Sequence, residues 1–372
     1  MSSVDGLESG ATLEHALAAS YYTEPRVFHR EREAIFFRTW QFACHRSQVS
    51  RPGDYVVFSV LDQSLFVICG ADGQARAFYN VCKHRAHELL SGAGRKSVVT
   101  CPYHAWTYET DGRLRRAPNS ENVPGFDRTK ICLTEARLED FCGFLFVNLD
   151  PEARPMDELY PGVRDELRTF LPGIDDLAPV DRLSVEEACN WKVAVENYNE
   201  CYHCRVAHPT FAKGVVLPDS YNVLPQGYCL RHTACAAPSQ AMTYEIDPTS
   251  HADAGNYSSW FLWPTFSFQV YPGGVLNTYF WHPLKTAETR AFREWFAPGG
   301  QGSETLAKLA RQDQETTVAE DIVLVNSVQR GLSNRGYQPG PLILDPRTGI
   351  NSEHSVAAFK GWVLEALEDD TL

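Results

Sequence analysis

The sequence has no long hydrophobic run, no leader-like start and no excess of basic residues. Its longest apolar stretches, such as Phe144 to Val147, have the length of a strand and are far too short to span a bilayer. The first twenty residues are acidic and lack an apolar core, so they predict neither a signal peptide nor a transit peptide. With 34 Lys and Arg against 47 Asp and Glu, the net charge is −13. We therefore expect a protein that binds neither membranes nor nucleic acid.

The sequence also lacks the pattern of a disulfide-rich domain and any internal repeat. Its eleven cysteines are an odd number scattered over 372 residues. Without a secretion signal, this distribution favours a reducing compartment such as the cytoplasm, with thiols that are free or bound to metal. Cys201 and Cys204 form a C-x2-C pair, which we interpret as packing residues. The length predicts two structural units, and 44% hydrophobic with 22% charged residues is typical of a folded, soluble protein.

Local patterns divide the chain into a small β unit and a mixed unit. Helical spacing predicts a helix over 12–40. Short apolar or alternating runs then predict strands at 54–61, 64–69, 75–81, 97–101, 105–108 and 144–148. Beyond residue 151 we predict helices at 156–171, 190–207, 303–332 and 354–368, and strands at 226–235, 258–271 and 275–283.

Two Cys-His pairs form the strongest local motif. Cys82 and His84 are followed after 16 residues by Cys101 and His104, in a C-x-H-x16-C-x2-H pattern at the ends of predicted strands. Two thiolates on one iron and two neutral imidazoles on the other are the ligands of a Rieske [2Fe–2S] cluster. A structural Cys2His2 zinc site is the alternative, although zinc motifs usually open with two cysteines. Chance pairing among 11 Cys and 12 His is the third interpretation.

A second group of metal ligands is predicted between Asn190 and Pro209. Residues 190–204 fit one helix, and Pro209 should end it near His208. His203 in the last turn and His208 just beyond it can then converge on one ion. Two neutral imidazoles and one carboxylate leave open positions on ferrous iron for O₂ and substrate. The alternative is a pair of core histidines with satisfied hydrogen bonds.

The carboxylate is predicted on the helix at 303–332. Asp321 lies near the centre of an apolar stripe, and Glu320 lies about a quarter-turn away. The stripe consists of Val318, Val325, Val328 and Leu332. A carboxylate on a buried face must be paired or bind a metal, so Asp321 is the predicted third ligand. The alternative is a buried aspartate that caps or pairs with a neighbouring group.

Aromatic residues are concentrated between residues 258 and 281. The candidate lining of a substrate pocket consists of Trp260, Trp263, Phe266, Tyr279 and Trp281. Aromatic faces attract a trimethylammonium group by cation–π interaction, and they also accept an apolar aromatic substrate. Because aromatic residues that alternate along strands are also typical of an ordinary core, this region does not decide between these functions.

Together these motifs resemble the large (α) subunits of Rieske non-haem iron oxygenases, over nearly the whole chain. The runs CPYHAWTY and ENYNECYHC carry the resemblance. It implies that the cluster is bound by Cys82, His84, Cys101 and His104, and the mononuclear iron by His203, His208 and Asp321. The implied α+β fold has a Rieske β-sandwich domain at 45–150 and a helix-grip catalytic domain with an antiparallel sheet at 151–372, to which the helical residues 1–44 belong.

The resemblance also implies an electron path between subunits. The family places an acidic residue three positions before the first iron histidine, and here this residue is Glu200. Its expected partner is the cluster ligand His104 of a neighbouring subunit, so a homotrimer is implied. The alternative for Glu200 is a solvated helix residue.

Within the family, ECYHC and the stretch Glu320 to Gly340 look most like the quaternary-ammonium oxygenases. This group includes carnitine and choline monooxygenases and the glycine betaine and stachydrine demethylases. One departure is Asn326, where the group has Glu. The implied reaction uses O₂ to hydroxylate a C–H near a quaternary nitrogen, with possible C–N cleavage or N-demethylation. Because no G-x-G-x-x-G fingerprint is present, NAD(P)H would act through a separate flavin and iron–sulfur reductase. The alternative is an aromatic-ring hydroxylase or an O-demethylase with the same metals.

Overall fold

The computed structural model describes residues 13–246 and 255–368, whose strands form two large antiparallel sheets and one small sheet. The first ten strands are β1 (Gln41–His45), β2 (Asp54–Val60), β3 (Gln63–Cys69), β4 (Ala75–Tyr79), β5 (Ala93–Arg95), β6 (Val99–Thr100), β7 (Thr107–Tyr108), β8 (Leu114–Arg116), β9 (Glu135–Phe141) and β10 (Phe144–Asn148). The others are β11 (Leu177–Glu187), β12 (Asn222–Gln226), β13 (Cys229–Ala234), β14 (Tyr257–Leu262), β15 (Phe266–Tyr271), β16 (Val275–Lys285) and β17 (Glu288–Pro298).

The helices surround these sheets. They are α1 (Ser20–Thr23), α2 (Pro25–Glu31), α3 (Met156–Leu159), α4 (Val163–Phe170), α5 (Trp191–Tyr198), α6 (Cys204–Ala207), α7 (Pro209–Gly214), α8 (Glu304–Asp313), α9 (Ala319–Leu332) and α10 (His354–Glu368). Single π-helical turns at Arg32–Phe36 and Gln314–Val318 extend α2 and join α8 to α9.

The first large sheet has the strand order β1-β10-β9-β4-β3-β2-β5, and the small sheet has the order β6-β7-β8. The small sheet packs on the first sheet through a separate apolar cluster that includes Phe66, Phe78 and Tyr108. The turn between β7 and β8 uses Gly112 at a φ of 86°. A side chain there would lie 2.7 Å from the ring of Phe78, so the close approach of this turn to the core requires glycine. The packing fixes the position of the loops that follow β4 and β6.

The second large sheet has the order β11-β17-β16-β15-β14-β13-β12, and its two faces have different partners. On one face, Phe266 and Phe268 pack against the first sheet, where their ring centroids lie 5.0 Å from Phe42 and 4.8 Å from Phe144, respectively. Helices cover the other face, since Trp191 of α5 and Phe359 of α10 belong to the same buried cluster as the strand residues there. The site described below lies on this helix-covered face.

A buried ion pair connects the N-terminal helices to the second sheet unit. Glu31 at the end of α2 and Lys192 in α5 form a salt bridge with both side chains 0% exposed. The indole Nε1 of Trp191 also donates to Glu31, at 2.9 Å. The two residues are 161 positions apart in the sequence, so the pair fixes α2 against α5.

Several sequence predictions of elements were wrong in extent. The helix predicted at 12–40 is the two short helices α1 and α2 with a π-helical turn, followed by unpredicted strand β1, and residue 12 lies outside the described residues. The single helix predicted at 190–204 ends at Tyr198, because residues 199–203 form a loop. The predicted helix at 354–368 is confirmed. The predictions also missed β5, β8, β9, β11, β12 and β17.

Candidate metal centres and substrate cavity

Two loops of nearly identical backbone geometry carry the Cys-His pairs. The backbone N–H of Cys82 donates to the carbonyl five residues later at 2.9 Å, and that of Cys101 does the same at 2.8 Å. The fourth residue after each cysteine, Ala86 or Ala105, has a φ of 57° and donates back to the cysteine carbonyl at 3.0 Å. This internal repeat of conformation orients both pairs alike.

Each loop presents a buried thiol and an imidazole nearer the surface. Cys82 and Cys101 are each 2% exposed, and both thiols are free. The rings of His84 and His104 meet edge to face, with centroids 4.7 Å apart. The hydroxyl of Tyr108 lies 3.2 Å from Sγ of Cys82. Two inner thiols and two outer imidazoles on adjacent loops fit a two-iron cluster with one iron on each kind of ligand.

The second group of predicted ligands lies where α5, α6 and α9 meet. His203 is the N-cap residue of α6, and His208 follows its last residue. Pro209 opens α7 directly after His208, because its fixed φ suits the first position of a helix. Asp321 lies in the first turn of α9. The prediction that His203 lies in the last turn of a long helix was therefore wrong, although its neighbourhood with His208 is as predicted.

The ligand atoms of His203, His208 and Asp321 all lie within 4.8 Å of one another. The two Nε2 atoms are 2.9 Å apart. Oδ1 of Asp321 lies 3.0 Å from Nε2 of His208 and 3.7 Å from Nε2 of His203. The amide of Asn197 donates to the same Oδ1 at 2.7 Å. Two imidazole nitrogens and one carboxylate oxygen that face a common point fit the ligand set of a non-haem ferrous iron.

Two further carboxylates hold the outer nitrogens of the imidazoles. Nδ1 of His203 contacts Oε1 of Glu200, and Nδ1 of His208 lies 2.8 Å from Oε2 of Glu320. Burial of His208 disfavours its charged form. The hydrogen bonds from His208 to Asp321 and Glu320, together with the negative charges of these two carboxylates, outweigh burial and raise the pKa of His208. Partners of this kind fix the tautomer and ring orientation of metal-binding histidines. The sequence placed Glu320 about a quarter-turn away from the apolar stripe and therefore did not predict its contact with His208.

A cavity with both aromatic and polar walls opens beside the three ligands. Its aromatic lining consists of Tyr198, Phe211, Tyr221, Tyr257 and Tyr271, and its polar lining includes Asn197, Gln269, Arg293 and Thr317. The ring of Tyr257 contacts those of Phe211 and Tyr271, with centroid separations of 5.4 and 5.6 Å. Phe211, Tyr257 and Tyr271 therefore form a continuous wall, and aromatic rings attract cations.

Comparison with known protein families assigns both halves of the chain. The Rieske [2Fe-2S] domain matches residues 39–127, and the ring hydroxylating alpha subunit (catalytic domain) matches residues 174–369, which is more than half of the chain. The chain belongs to the Rieske oxygenases. A Rieske [2Fe–2S] cluster and a mononuclear iron are therefore its cofactors, as the resemblance implied, and the α+β fold of a Rieske domain with a catalytic domain is confirmed.

Relatives with this domain pair align along nearly the whole chain. The chain is 36% identical to the carnitine monooxygenase oxygenase subunit of Acinetobacter baumannii over 93% of both proteins. It is 33% identical to the carnitine monooxygenase oxygenase subunit of Escherichia coli K12, over 95% of this chain and 94% of that one. A solved structure of a quaternary ammonium Rieske monooxygenase, described with carnitine oxidation and inter-subunit electron transfer, superposes with a TM-score of 0.88 at 34% identity, over 95% of this chain and 96% of that chain.

The aromatic residues that were predicted to line the pocket of this Rieske oxygenase lie elsewhere, so that prediction was wrong. None of Trp260, Trp263, Phe266, Tyr279 and Trp281 lines the cavity beside the three ligands. Trp260 and Phe266 point to the opposite face of the sheet and belong to the core shared with the first sheet. The other three lie on the helix-covered face, where Tyr279 and Trp281 pack behind Tyr198 at centroid distances of 5.7 and 4.9 Å.

The residues that line this cavity come from several parts of the chain, so no single stretch of sequence indicates them. Of the five aromatic rings, only Tyr271 falls in the aromatic-rich stretch from 258 to 281. The other four come from α5, α7, the segment before β12, and the first residue of β14. The alternation of β15 did carry a signal, because Ser267, Gln269 and Tyr271 share one face and Phe266 and Phe268 share the other.

The structure adds to three smaller interpretations. Cys201 and Cys204, interpreted as packing residues, are buried as expected, but the structure joins them in a disulfide. Asn326, the departure from the quaternary-ammonium pattern, accepts a hydrogen bond from the backbone N–H of Ala188 at 2.7 Å. It thereby connects α9 to the end of β11. Val328, placed on the apolar stripe, is 49% exposed.

None of the helices within 13–246 and 255–368 has both the length and the apolar character needed to cross a membrane.

Proposed function

We propose that this Rieske oxygenase is the oxygenase component of a two-component monooxygenase that uses O₂ to hydroxylate a quaternary-ammonium compound. The main support is that the three proposed metal-ligand side chains converge next to a continuous aromatic wall. Trimethylammonium groups bind to such walls by cation–π attraction. The carnitine monooxygenase relatives at 36% and 33% identity support the same substrate class. C–N cleavage or N-demethylation of the hydroxylated compound is the proposed net outcome.

We assign the ligands as follows. Cys82 and Cys101 would bind one iron of the cluster, and His84 and His104 the other. His203, His208 and Asp321 would bind the mononuclear iron, which supplies the activation of O₂ when it is bound. Two observations support these assignments: the thiols are buried while the imidazoles are closer to the surface, and the ligand atoms of the triad lie within 4.8 Å of one another.

The protein side chains have separate tasks in this proposal. Glu320 would hold the ring of His208 through its Nδ1, and Asn197 would orient the carboxylate of Asp321 through its hydrogen bond of 2.7 Å. The aromatic wall would hold the cationic head of the substrate and exclude water from the reacting C–H. Fixed positions of this kind lower the entropy cost of reaction.

Glu200 is proposed to connect two metal centres across a subunit boundary. One of its oxygens contacts Nδ1 of His203, and the other accepts backbone N–H groups of Tyr202 and His203. Among the residues the structure describes, Glu200 makes no polar contact with His84 or His104, which leaves its link to a cluster histidine to a partner subunit. We therefore propose a homotrimer, a separate flavin and iron–sulfur reductase that draws on NAD(P)H, and a cytoplasmic location.

The sequence predicts 1–44 and 151–372 for the catalytic unit and 45–150 for the Rieske unit. Because β1 (Gln41–His45) pairs with β10 in the first sheet, we propose that the Rieske unit begins at Gln41. The buried contact of Glu31 with Lys192 supports assigning the N-terminal helices to the catalytic unit. The hydrogen bond from Arg30 to the carbonyl of Leu367, at 2.6 Å, supports it as well.

The proposed function is tested by turnover of the purified holoenzyme with a Rieske reductase and NAD(P)H. Carnitine, glycine betaine and choline are compared with benzoate and a methoxybenzoate, and products are identified by mass spectrometry. We expect oxygen-dependent products from at least one quaternary-ammonium compound. Products from the benzoates alone would replace this proposal with an aromatic-ring hydroxylase or an O-demethylase.

A substitution of Glu200 tests the proposed connection. Glu200→Gln preserves the shape of the side chain but removes its charge, so we expect both metal centres to remain bound while turnover slows by at least about tenfold. Iron content, the visible spectrum and single-turnover kinetics are measured together. The matched control is Glu158→Gln, whose side chain is 59% exposed in α3. Unchanged single-turnover kinetics in the Glu200 variant would contradict the role.

A further inference from the structure

The cavity beside the iron ligands contains one buried cation, Arg293. It lies in the middle of β17, opposite Tyr279 of β16, and lines the same cavity as His203, His208 and Asp321. Its side chain is 3% exposed, and its guanidinium lies over the ring of Tyr279 at 4.2 Å from the centroid. A buried charge in a position of this kind needs partners.

The partners of Arg293 occupy only part of its guanidinium. Nη1 lies 2.7 Å from Oδ2 of Asp313 and 3.4 Å from Oε1 of Gln269. Nε has no hydrogen-bond partner among the described residues. Asp313 is also held by the hydroxyl of Tyr271 at 3.2 Å, so it cannot easily turn toward Nε. An unsatisfied donor on a buried charged group is costly, which makes Nε available to a ligand that accepts hydrogen bonds.

The strand neighbours of Arg293 extend this polar patch. Gln269 of β15 is paired directly with Asn277 of β16, and Tyr279, two residues further along β16, is paired with Arg293. These side chains therefore point to the same face of the sheet. Asn277 is 0% exposed, and neither its amide nitrogen nor its amide oxygen has a partner among the described residues. Arg293 and Asn277, two buried polar groups with unused hydrogen-bonding atoms, thus lie on one face of the sheet, and Arg293 lines the cavity.

The two ends of the site favour different parts of one molecule. The aromatic wall formed by Phe211, Tyr221 and Tyr257 suits a trimethylammonium group. A guanidinium with an unpaired N–H can bind a carboxylate, because the two carboxylate oxygens accept hydrogen bonds from parallel N–H groups. The hydroxyl of choline offers a single neutral acceptor, which forms a weaker hydrogen bond than a charged carboxylate oxygen does.

We propose that Arg293 recognises a carboxylate on the substrate, so that this enzyme selects quaternary-ammonium acids over quaternary-ammonium alcohols. The inference rests on the proposed function and adds a specificity-determining residue to it. Gln269 and Asn277 would assist by hydrogen bonding around the same group. In this proposal the carboxylate of the substrate would lie against the sheet at Arg293. Its trimethylammonium group would lie at the aromatic wall.

The test measures equilibrium binding to the oxidised holoenzyme without reductase, where no turnover takes place. Dissociation constants for L-carnitine, glycine betaine and choline are compared in the wild type and in Arg293→Gln. We expect the wild type to bind the acids more tightly than choline. In Arg293→Gln the acids should bind about 10- to 100-fold more weakly, as for loss of a charge-assisted hydrogen bond, and choline should change less than about threefold.

Two further variants keep the test decisive. Arg293→Lys retains the charge but not the fork, so acid binding should fall to an intermediate level. If Arg293→Gln loses iron or the visible spectrum of the cluster, the double variant Arg293→Gln with Asp313→Asn removes both charges together and is measured instead. The matched control is Arg290→Gln on the same strand, whose side chain is 40% exposed and pairs with Glu186.

The outcomes separate this inference from the proposed function. Equal weakening of acids and choline, or wild-type binding of choline as tight as that of the acids, overturns the role of Arg293 and leaves the proposed function standing. Failure of the wild type to bind any of the three compounds overturns both. Selective loss of acid binding in the Arg293 variants, with no change in Arg290→Gln, supports the inference.

Discussion

Asp321 shows how spacing on a helix can predict a single residue as a metal ligand. Its place on a helical stripe selected it over the adjacent Glu320, and its Oδ1 lies 3.0 Å from Nε2 of His208. Glu320 instead contacts the outer nitrogen of the same histidine. Adjacent carboxylates on one helix thus reach opposite sides of one imidazole, because they are about 100° apart around the axis.

The assignment of Asp321 predicts a selective loss of metal. Asp321→Ala removes one ligand of the proposed triad, so iron content should fall from about three to about two per chain while the visible spectrum of the cluster remains. Turnover should disappear. Asp62→Ala, a change of an aspartate that is 54% exposed, is the matched control and should keep all of the iron. Normal turnover in Asp321→Ala would refute the assignment.

A second residue-scale prediction concerns pH. Burial raises the pKa of Glu196 to about 7, and the negative charge of Glu353 adds to this rise. The hydrogen bond from Tyr22 and the positive charge of Lys192 lower the pKa, but by less. The folded protein therefore holds this proton up to a higher pH than the unfolded chain, and stability falls as pH rises from about 4.5 to about 7. Glu196→Gln cannot ionise and keeps an acceptor for Tyr22.

We therefore expect Glu196→Gln to have a higher Tm than the wild type at pH 8 and nearly the same Tm at pH 5. The expected gain at pH 8 is about 1–3 kcal/mol. Thermal unfolding of the holoenzyme at both pH values measures it. An equal Tm difference at both pH values would show that ionisation of Glu196 has no part in the effect.

At the scale of elements, the fit between sequence and structure depends on how local the signal is. The helix α10 was predicted within its observed limits because its apolar spacing is uninterrupted over 15 residues. The helix at 303–332 contains a π-helical turn at Gln314–Val318, for which no spacing rule gives a signal. The helix at 190–204 was predicted too long because the loop 199–203 contains no proline or glycine to mark its start.

The missed strands have a common physical origin. β9 and β11 are rich in charged residues, with the sequences EARLEDF and LAPVDRLSVEE, so they show little hydrophobic alternation. Both are held by register with a more apolar partner, β10 for β9 and β17 for β11. Such strands form because they pair with a partner strand in the folded protein. The local sequence pattern gives no signal for this pairing.

The contact between α2 and α5 gives a prediction about elements. Lys192→Met leaves Glu31 as an unpaired buried charge and should cost about 3–5 kcal/mol of stability. The double variant with Glu31→Gln should recover most of this loss, because the amide still accepts from Trp191 and no charge remains. Chemical denaturation of the two variants and the wild type gives the comparison.

The exposed pair of Lys285 and Glu288 provides the control for this experiment. Its side chains are 71% and 51% exposed, so Lys285→Met should change stability by less than about 1 kcal/mol. A Lys192→Met variant as stable as this control would show that the buried pair does not hold α2 against α5.

At the scale of the whole molecule, the sequence predicted two metal centres. It did not predict the cavity beside one of them or the path between the two. The motifs predicted the Cys and His ligands because residues of these types are few and stand close together in the sequence. The cavity lining was not predicted, since it is assembled from α5, α7, β14 and β15 only after the second sheet has formed. The same limit applies to the path between the centres, which involves more than one copy of the chain in the proposed assembly.

This assembly predicts that two inactive variants can restore each other. His104→Ala lacks a cluster ligand and Asp321→Ala lacks an iron ligand, so each alone should be inactive. When both are expressed in one cell, mixed trimers bring an intact cluster beside an intact iron of a different subunit through Glu200. Turnover should then return to a fraction of the wild-type rate, whereas separately purified variants that exchange no subunits should stay inactive. If co-expression restores no activity although mixed trimers are isolated with two affinity tags, electrons reach the iron from the cluster of the same chain, and the proposed role of Glu200 between subunits is wrong.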